Sequence, residues 1–129
     1  MLTITITGIR PIGVQSVRFA KGHAFQDPVM REYKDNIKSN ILANLPSGFE
    51  MYQKGVPIRV ALTFFFAEKN GNLYVRPHVG KPDIDNLCKG VFDAGNKVLW
   101  YDDKQIAACR PEKYIGGEDR ITIEVERIY

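Results

Sequence analysis

The sequence has little that would staple or clamp a fold from outside: two cysteines, two histidines and one tryptophan among 129 residues. Cys88 and Cys109 lie far apart, without CxxC spacing or a His-rich neighbourhood. That pattern argues against a structural zinc site and for a reducing compartment, so both read as small core residues. Long apolar runs are also missing. The stretch from Val60 to Ala67 is far short of the roughly 18 residues of a spanning helix, and Met1-Leu2-Thr3-Ile4-Thr5 alternates where a signal peptide is continuously apolar. The expectation is a cytoplasmic protein with no membrane partner. No repeat, low-complexity tract or heptad pattern is present. The length excludes a two-domain enzyme and suits one domain, 1–129, with a single core. A formal charge of +3, from 18 basic and 15 acidic groups, is compatible with a polyanionic partner without requiring one.

Leu2, Ile4 and Ile6 alternate with Thr3, Thr5 and Thr7, the period of a half-buried strand. From Gly8 to Asp27 that pattern stops, and Arg10, Arg18, Lys21 and His23 appear with no acid before Asp27. Basic loops of this length are uncommon unless they are functional or disordered. Asp27-Pro28 is a helix start, with Asp as N-cap and Pro at N1; Met30, Tyr33, Ile37 and Ile41 then carry a helix to about Ala43. Residues 56 to 66 form a long strand whose end is apolar on both faces, which places it centrally. A second basic loop, 67 to 82, carries Lys69, Arg76, His78 and Lys81 against Glu68. Ile84, Leu87, Cys88 and Val91 then mark one face of a helix. Runs at about 105–114 and 120–128 flank Gly116-Gly117 and read as a β-hairpin. The order βαβαββ predicts an α/β (α+β) domain of two layers, a mixed sheet with helices on one side.

The residues able to carry chemistry are Asp83, Asp85 and Lys89, with the Asp102-Asp103 pair beyond the second helix. Mg2+ takes oxygen ligands, often from a few carboxylates together with a substrate phosphate. Asp83 and Asp85 are two apart where loop becomes helix, so their carboxylates can converge, whereas in mid-helix they would diverge. Asp102 or Asp103 is a candidate third ligand. Structural roles compete: acids at a helix N-terminus stabilise it by roughly 0.3–1 kcal/mol, Asp-Asp before a strand is an ordinary turn, and Asp85 with Lys89 is an i,i+4 ion pair. The basic loops on either side favour a phosphodiester, whose phosphate would complete a metal's coordination. His23 and His78 have no neighbouring serine or cysteine constellation, which argues against a catalytic triad.

The string Lys81-Pro82-Asp83-Ile84-Asp85-Asn86-Leu87-Cys88-Lys89, then Phe92-Asp93-Ala94, then Trp100-Tyr101-Asp102-Asp103-Lys104-Gln105-Ile106, resembles the RusA family of Holliday-junction resolvases. Tyr33-Lys34-Asp35-Asn36 in the first helix extends the likeness less sharply. The resemblance implies a Mg2+-dependent endodeoxyribonuclease, with Mn2+ as a possible substitute, acting as a homodimer on four-way DNA junctions by paired nicks. By position, Asp83, Asp85 and Asp103 match the family's catalytic acids and Lys89 its catalytic lysine. Two departures stand out. Residues 10 to 18 follow the family's first loop only loosely, and the spacing before Asp102 is tighter, which keeps Asp102 as an alternative to Asp103.

On this reading Arg10, Arg18, Lys21, Arg76 and Lys81 contact phosphates. Two rivals use the same residues. One is a branched or single-stranded DNA-binding module in which the acids serve as caps and turn formers; the other is a metal-dependent nucleotide phosphohydrolase.

Overall fold

The computed structural model describes every residue except 16, 17, 21, 22 and 26, and only the backbone of Arg18–Ala20 and His23–Phe25. In chain order the elements are β1 (Leu2–Thr7), β2 (Arg18–Ala20), β3 (His23–Phe25), α1 (Pro28–Ala43), β4 (Ile58–Phe66), β5 (Arg76–Pro77), α2 (Ile84–Gly95), a 3-10 turn at Asp103–Gln105, β6 (Ile106–Ile115) and β7 (Arg120–Arg127). Five strands form one mixed sheet in the order β1-β7-β4-β6-β5, and β2 pairs with β3 in a separate ribbon. The segment read from sequence as a single basic loop, 8 to 27, thus contains a short antiparallel pair.

Parity along the strands decides the two layers. Ile58, Val60, Leu62, Phe64 and Phe66 of β4 point to one face and are buried. In register beside them stand Val125, Ile123 and Ile121 of β7, and from β1 come Leu2, Ile4 and Ile6. Tyr33, Ile37 and Ile41 of α1 and Leu87 and Val91 of α2 join the same cluster, with Trp100 fully buried beneath. Side chains of this size contribute about 1.5–3 kcal/mol each on burial. The opposite face carries Thr3, Thr5, Thr63, Thr122 and Glu124, with Phe65 stacked on Tyr114 at 5.6 Å between ring centroids.

Both helices begin where expected. Asp27 caps α1, its carboxylate accepting from the Val29 N–H at 2.8 Å, and Pro28 occupies the first turn. α2 and α1 approach closely because Gly90 has no side chain: a Cβ there would lie 2.9 Å from Val14 Cγ2 and 3.0 Å from Tyr33.

The expected hairpin is not formed. β6 runs parallel to β4 on one side and β7 antiparallel to β4 on the other, so the long strand sits between them. Residues 116 to 119 therefore cross the end of β4, a step of about 10 Å across two strand spacings. The Gly116 N–H donates to Phe66 O at 2.8 Å, and at φ 111° a Cβ on Gly116 would fall 2.1 Å from Tyr74 O. The two alternating runs around Gly-Gly are strands, but they do not pair with each other, because β4, apolar on both faces, stands between them as the central strand. Cys109 also departs from expectation. It is exposed on β6 and both thiols are free, whereas Cys88 is buried.

Candidate functional site

Asp83 is the N-cap of α2, in extended conformation, and its carboxylate makes no capping hydrogen bond. Asp85 follows in the first turn, and both side chains are exposed. An N-cap Asp ordinarily turns its carboxylate onto the N–H groups of the first turn; here that acceptor is left for something else. The approach to α2 is held from two sides. Lys113, on the inward face of β6, donates to Pro82 O at 2.7 Å and also to Gly80 O, and the Val14 N–H donates to Asn86 O at 2.9 Å. Gly13 lies so close to Pro82 that a Cβ would be 2.9 Å from the ring's Cβ. Gly13, Gln15, Lys81, Pro82, Asp83 and Asn86 line a cleft of about 280 Å3 that opens beside the Asp83 carboxylate.

Lys89 lies one turn beyond Asp85 and is half-exposed. It reaches forward, 3.9 Å from Asp93 Oδ2, and the pairing back to Asp85 weighed from sequence is not the one made. Lys34 of α1 shares the same carboxylate oxygen at 3.3 Å. Asp93, in the last turn of α2, thus holds two ammonium groups. Lys34 and Lys113 were not singled out as site residues from sequence. The signal available for Lys113 was parity, since it alternates with Pro111 and Ile115 on the inward face of a strand.

The two aspartates after Trp100 have different roles. Asp102 Oδ1 accepts from the Lys104 N–H at 2.9 Å and the Gln105 side chain accepts from the Asp102 N–H at 2.8 Å, a reciprocal capping box. Gln105 is buried and donates onward to Gln53 O at 2.6 Å and Val56 O at 3.0 Å. Asp102 is therefore committed to the turn. Asp103 is free of it and accepts from Asn96 Nδ2 at 3.3 Å through Oδ2.

That contact fixes the position of Asp103 relative to the other acids. Asn96 is the C-cap of α2 and Asp83 the N-cap, so Asp103 belongs to the opposite end of the helix. From Asp85 to Asn96 the helix spans roughly 16 Å at about 1.5 Å per residue, which sets the Asn96–Asp103 contact well away from the acids at the start of α2. Among the described residues no three His, Cys, Asp or Glu side chains stand together as a metal-binding group. The cluster of Asp83, Asp85 and Asp103 expected from sequence is not assembled within one chain, because a helix of 12 residues separates its members.

The basic residues also divide. Arg10 donates to Ala67 O at 2.8 Å and to Asp119 Oδ1 at 3.2 Å, with its guanidinium over the Phe66 ring, so it ties together the ends of β1, β4 and the crossing loop. Arg76 is paired with Glu68 and donates to Tyr74 O at 3.0 Å. Lys81 is exposed on the rim of the cleft. The Arg18 side chain and Lys21 lie outside the described residues. His78 packs edge-on against Phe66 at 4.9 Å between centroids; burial first, then the Lys113 ammonium, holds its pKa below the usual histidine value. No helix among the described residues is long and apolar enough to cross a membrane.

The chain matches the family described as Endodeoxyribonuclease RusA over residues 9–126, a span containing both ends of α2 and the Asp102-Asp103 turn. It is 32% identical over 94 residues to the crossover junction endodeoxyribonuclease rusA of Lactococcus phage r1t, covering 72% of this chain and 70% of that protein. It is also 35% identical over 48 residues to the uncharacterized protein YqaN of Bacillus subtilis (strain 168), covering 37% of this chain and 34% of that one.

Proposed function

The chain belongs to the RusA family of endodeoxyribonucleases, and from that premise we propose that it is a Mg2+-dependent Holliday-junction resolvase that cuts four-way DNA by paired nicks. The observation that carries the reading is the pair of exposed carboxylates at the start of α2, beside a polar cleft rimmed by Lys81, with Lys89 one turn away.

The donor set fits Mg2+ as far as one chain goes. Asp83 has a carboxylate unspent on capping and Asp85 is its exposed neighbour, and one or two carboxylates plus substrate phosphate oxygens and waters suffice for this ion. When bound, Mg2+ supplies positive charge against the phosphate and lowers the pKa of attacking water; Mn2+ has the same preference for oxygen ligands. The chain's own groups do the rest. The cleft admits a phosphodiester against Asp83, Lys81 contacts a phosphate at its rim, and Lys89, steadied by Asp93, offers an ammonium to charge building on the scissile phosphate. Attack of water on phosphorus breaks the bond to the 3′ oxygen, which takes a proton. The products are a 3′-hydroxyl and a 5′-phosphate, ends that a ligase can rejoin, as recombination and repair require.

A homodimer completes the proposal. Paired cuts in a twofold junction call for two sites related by a twofold axis. The helix length that keeps Asp103 away from Asp83 and Asp85 in one chain makes Asp103 of a second copy the natural third carboxylate.

The test is a Mg2+ titration of cleavage on a labelled four-way junction and on linear duplex of the same sequence, with wild type and Asp83→Asn. Symmetric nicks in the junction by wild type alone, with binding kept in the variant, are expected. Binding without cleavage by either protein would leave only a DNA-binding module, and turnover of free nucleotides without junction cleavage would point to a phosphohydrolase.

A further inference from the structure

We infer that Asn96 is a positioning residue that aims the Asp103 carboxylate, and that the buried indole of Trp100 fixes Asn96 in turn. The inference rests on the reading of Asp103 as a working carboxylate.

The observation is a chain of two hydrogen bonds. Trp100 Nε1 donates to Asn96 Oδ1 at 3.0 Å, and Asn96 Nδ2 donates to Asp103 Oδ2 at 3.3 Å. An amide carries its acceptor and donor on opposite corners of one rigid plane. Because the indole has only an N–H to offer, it must face the amide oxygen, and the NH2 is thereby turned towards Asp103. Aspartate at position 96 would set oxygen against oxygen, alanine would touch neither neighbour, and glutamine would carry the amide one methylene too far.

The indole is a fixed point. Trp100 is fully buried and lies so close to α2 that a Cβ on Gly95 would be 2.5 Å from its Cζ2. The backbone around it is closed on itself: the Leu99 N–H donates to Gly95 O at 2.9 Å and the Lys97 N–H to Trp100 O at 2.7 Å. To make that closure Lys97 adopts φ 65°, a left-handed conformation that costs a non-glycine residue roughly 1 kcal/mol or more. Its ammonium lies 3.2 Å from the Tyr101 ring centroid and donates to Tyr101 O at 2.7 Å, which holds the bend.

Asp103 itself stands at the first position of a 3-10 turn of three residues, where nothing in the turn restrains its side chain. The Asn96 amide engages Oδ2 and leaves Oδ1 outside that contact. Carboxylates that bind cations are commonly held by such a second hydrogen bond, and losing it typically costs about 10- to 100-fold in affinity or activity.

Trp100 is the sole tryptophan of the chain, so the relay carries its own reporter. Mn2+, a paramagnetic quencher, is titrated into wild type, Asn96→Ala and Asp103→Asn without DNA while Trp100 fluorescence is read; junction binding without metal and cleavage at saturating junction are measured on the same preparations. Saturable quenching is expected in wild type. Asn96→Ala should need about 10-fold more Mn2+ and cleave at least about 10-fold more slowly, with junction binding unchanged. Asn96→Ala that binds Mn2+ and cleaves like wild type, beside an inactive Asp103→Asn, overturns the inference alone. Full activity in Asp103→Asn overturns instead the reading of Asp103 on which it rests. A measurement on wild type guards against an unfolded variant: in a Mg2+ titration followed by 15N NMR, the indole N–H and the Asn96 side-chain amide signals are expected to shift together, and stationary signals would refute the relay.

Discussion

If Asp103 serves a site whose other acids come from a second copy, two inactive variants should repair each other. Consider Asp83→Asn and Asp103→Asn, each of which damages both sites of its own homodimer. In a mixed dimer with sites shared between chains, one site combines both lesions and the other has neither. If each site lay within one chain, every site would carry one lesion. The first case is the one expected here: α2 keeps Asp85 roughly 16 Å from Asn96, the residue that binds Asp103, and the three acids do not stand together among the described residues. In the purified mixed species every dimer keeps one intact site of two, so nicking should return to about half of the wild-type rate. The cuts should be single, because no mixed dimer can cut both strands. The assay is co-expression with two affinity tags, sequential purification of the mixed species, and denaturing gel analysis of a junction labelled on each strand in turn. Nicking no greater than that of the parent variants would refute the sharing of sites.

The basic residues separate into clamp and contact. Arg10→Ala should lower stability by about 1 kcal/mol, read as a shift in the urea midpoint, because it loses charged hydrogen bonds that are half-exposed and hence partly screened. It should barely alter the salt dependence of DNA binding, whereas Lys81→Ala should reduce that slope by about one ion with little change in stability. Gly90→Ala should destabilise by about 1–3 kcal/mol in the same titration, since the added methyl meets Val14 and Tyr33 where two helices touch. The lowered pKa of His78 means that the folded state resists protonating it. Its contribution is therefore complete above about pH 6.5 and is lost as pH falls through the depressed value of the folded state. His78→Gln should flatten that acid limb in thermal melts between pH 7 and 5, and an unaltered limb would assign it to other groups.

Much of the fold could be read from local periodicity. α1 and its Asp27-Pro28 start, α2, and the strands at Leu2–Thr7 and Ile58–Phe66 follow from spacing alone, because each buries a face set by its own geometry. Partner choice is not local. The alternation of Ile106–Ile115 and Arg120–Arg127 says that both are strands, and Gly116-Gly117 says that the chain turns; nothing nearby says that β4 lies between them. The doubly apolar end of β4, with Ala61 and Phe65 on its second face, carried that information, since a central strand must have two neighbours. At the candidate site, motif and spacing singled out the acids but grouped Asp103 with Asp83. The three-residue spacing from Asp102 to Gln105 already has the form of a capping box, enough to commit Asp102 to the turn and free Asp103. The contribution of Asn96 was hidden because it needs the indole of Trp100 in a particular place, which only tertiary packing supplies.

The position of β7 between β1 and β4 has a consequence for synthesis on the ribosome. Among the described residues β1 pairs only with β7, Leu2 opposite Val125 and Ile6 opposite Ile121. β1 must therefore wait, unpaired, until β7 has cleared the exit tunnel. Local helices can form during that delay, but the sheet closes only after translation has passed β7, so contact order and aggregation risk are both high for the nascent chain. The threonines alternating with Leu2, Ile4 and Ile6 keep half of this waiting segment polar, which lessens that exposure.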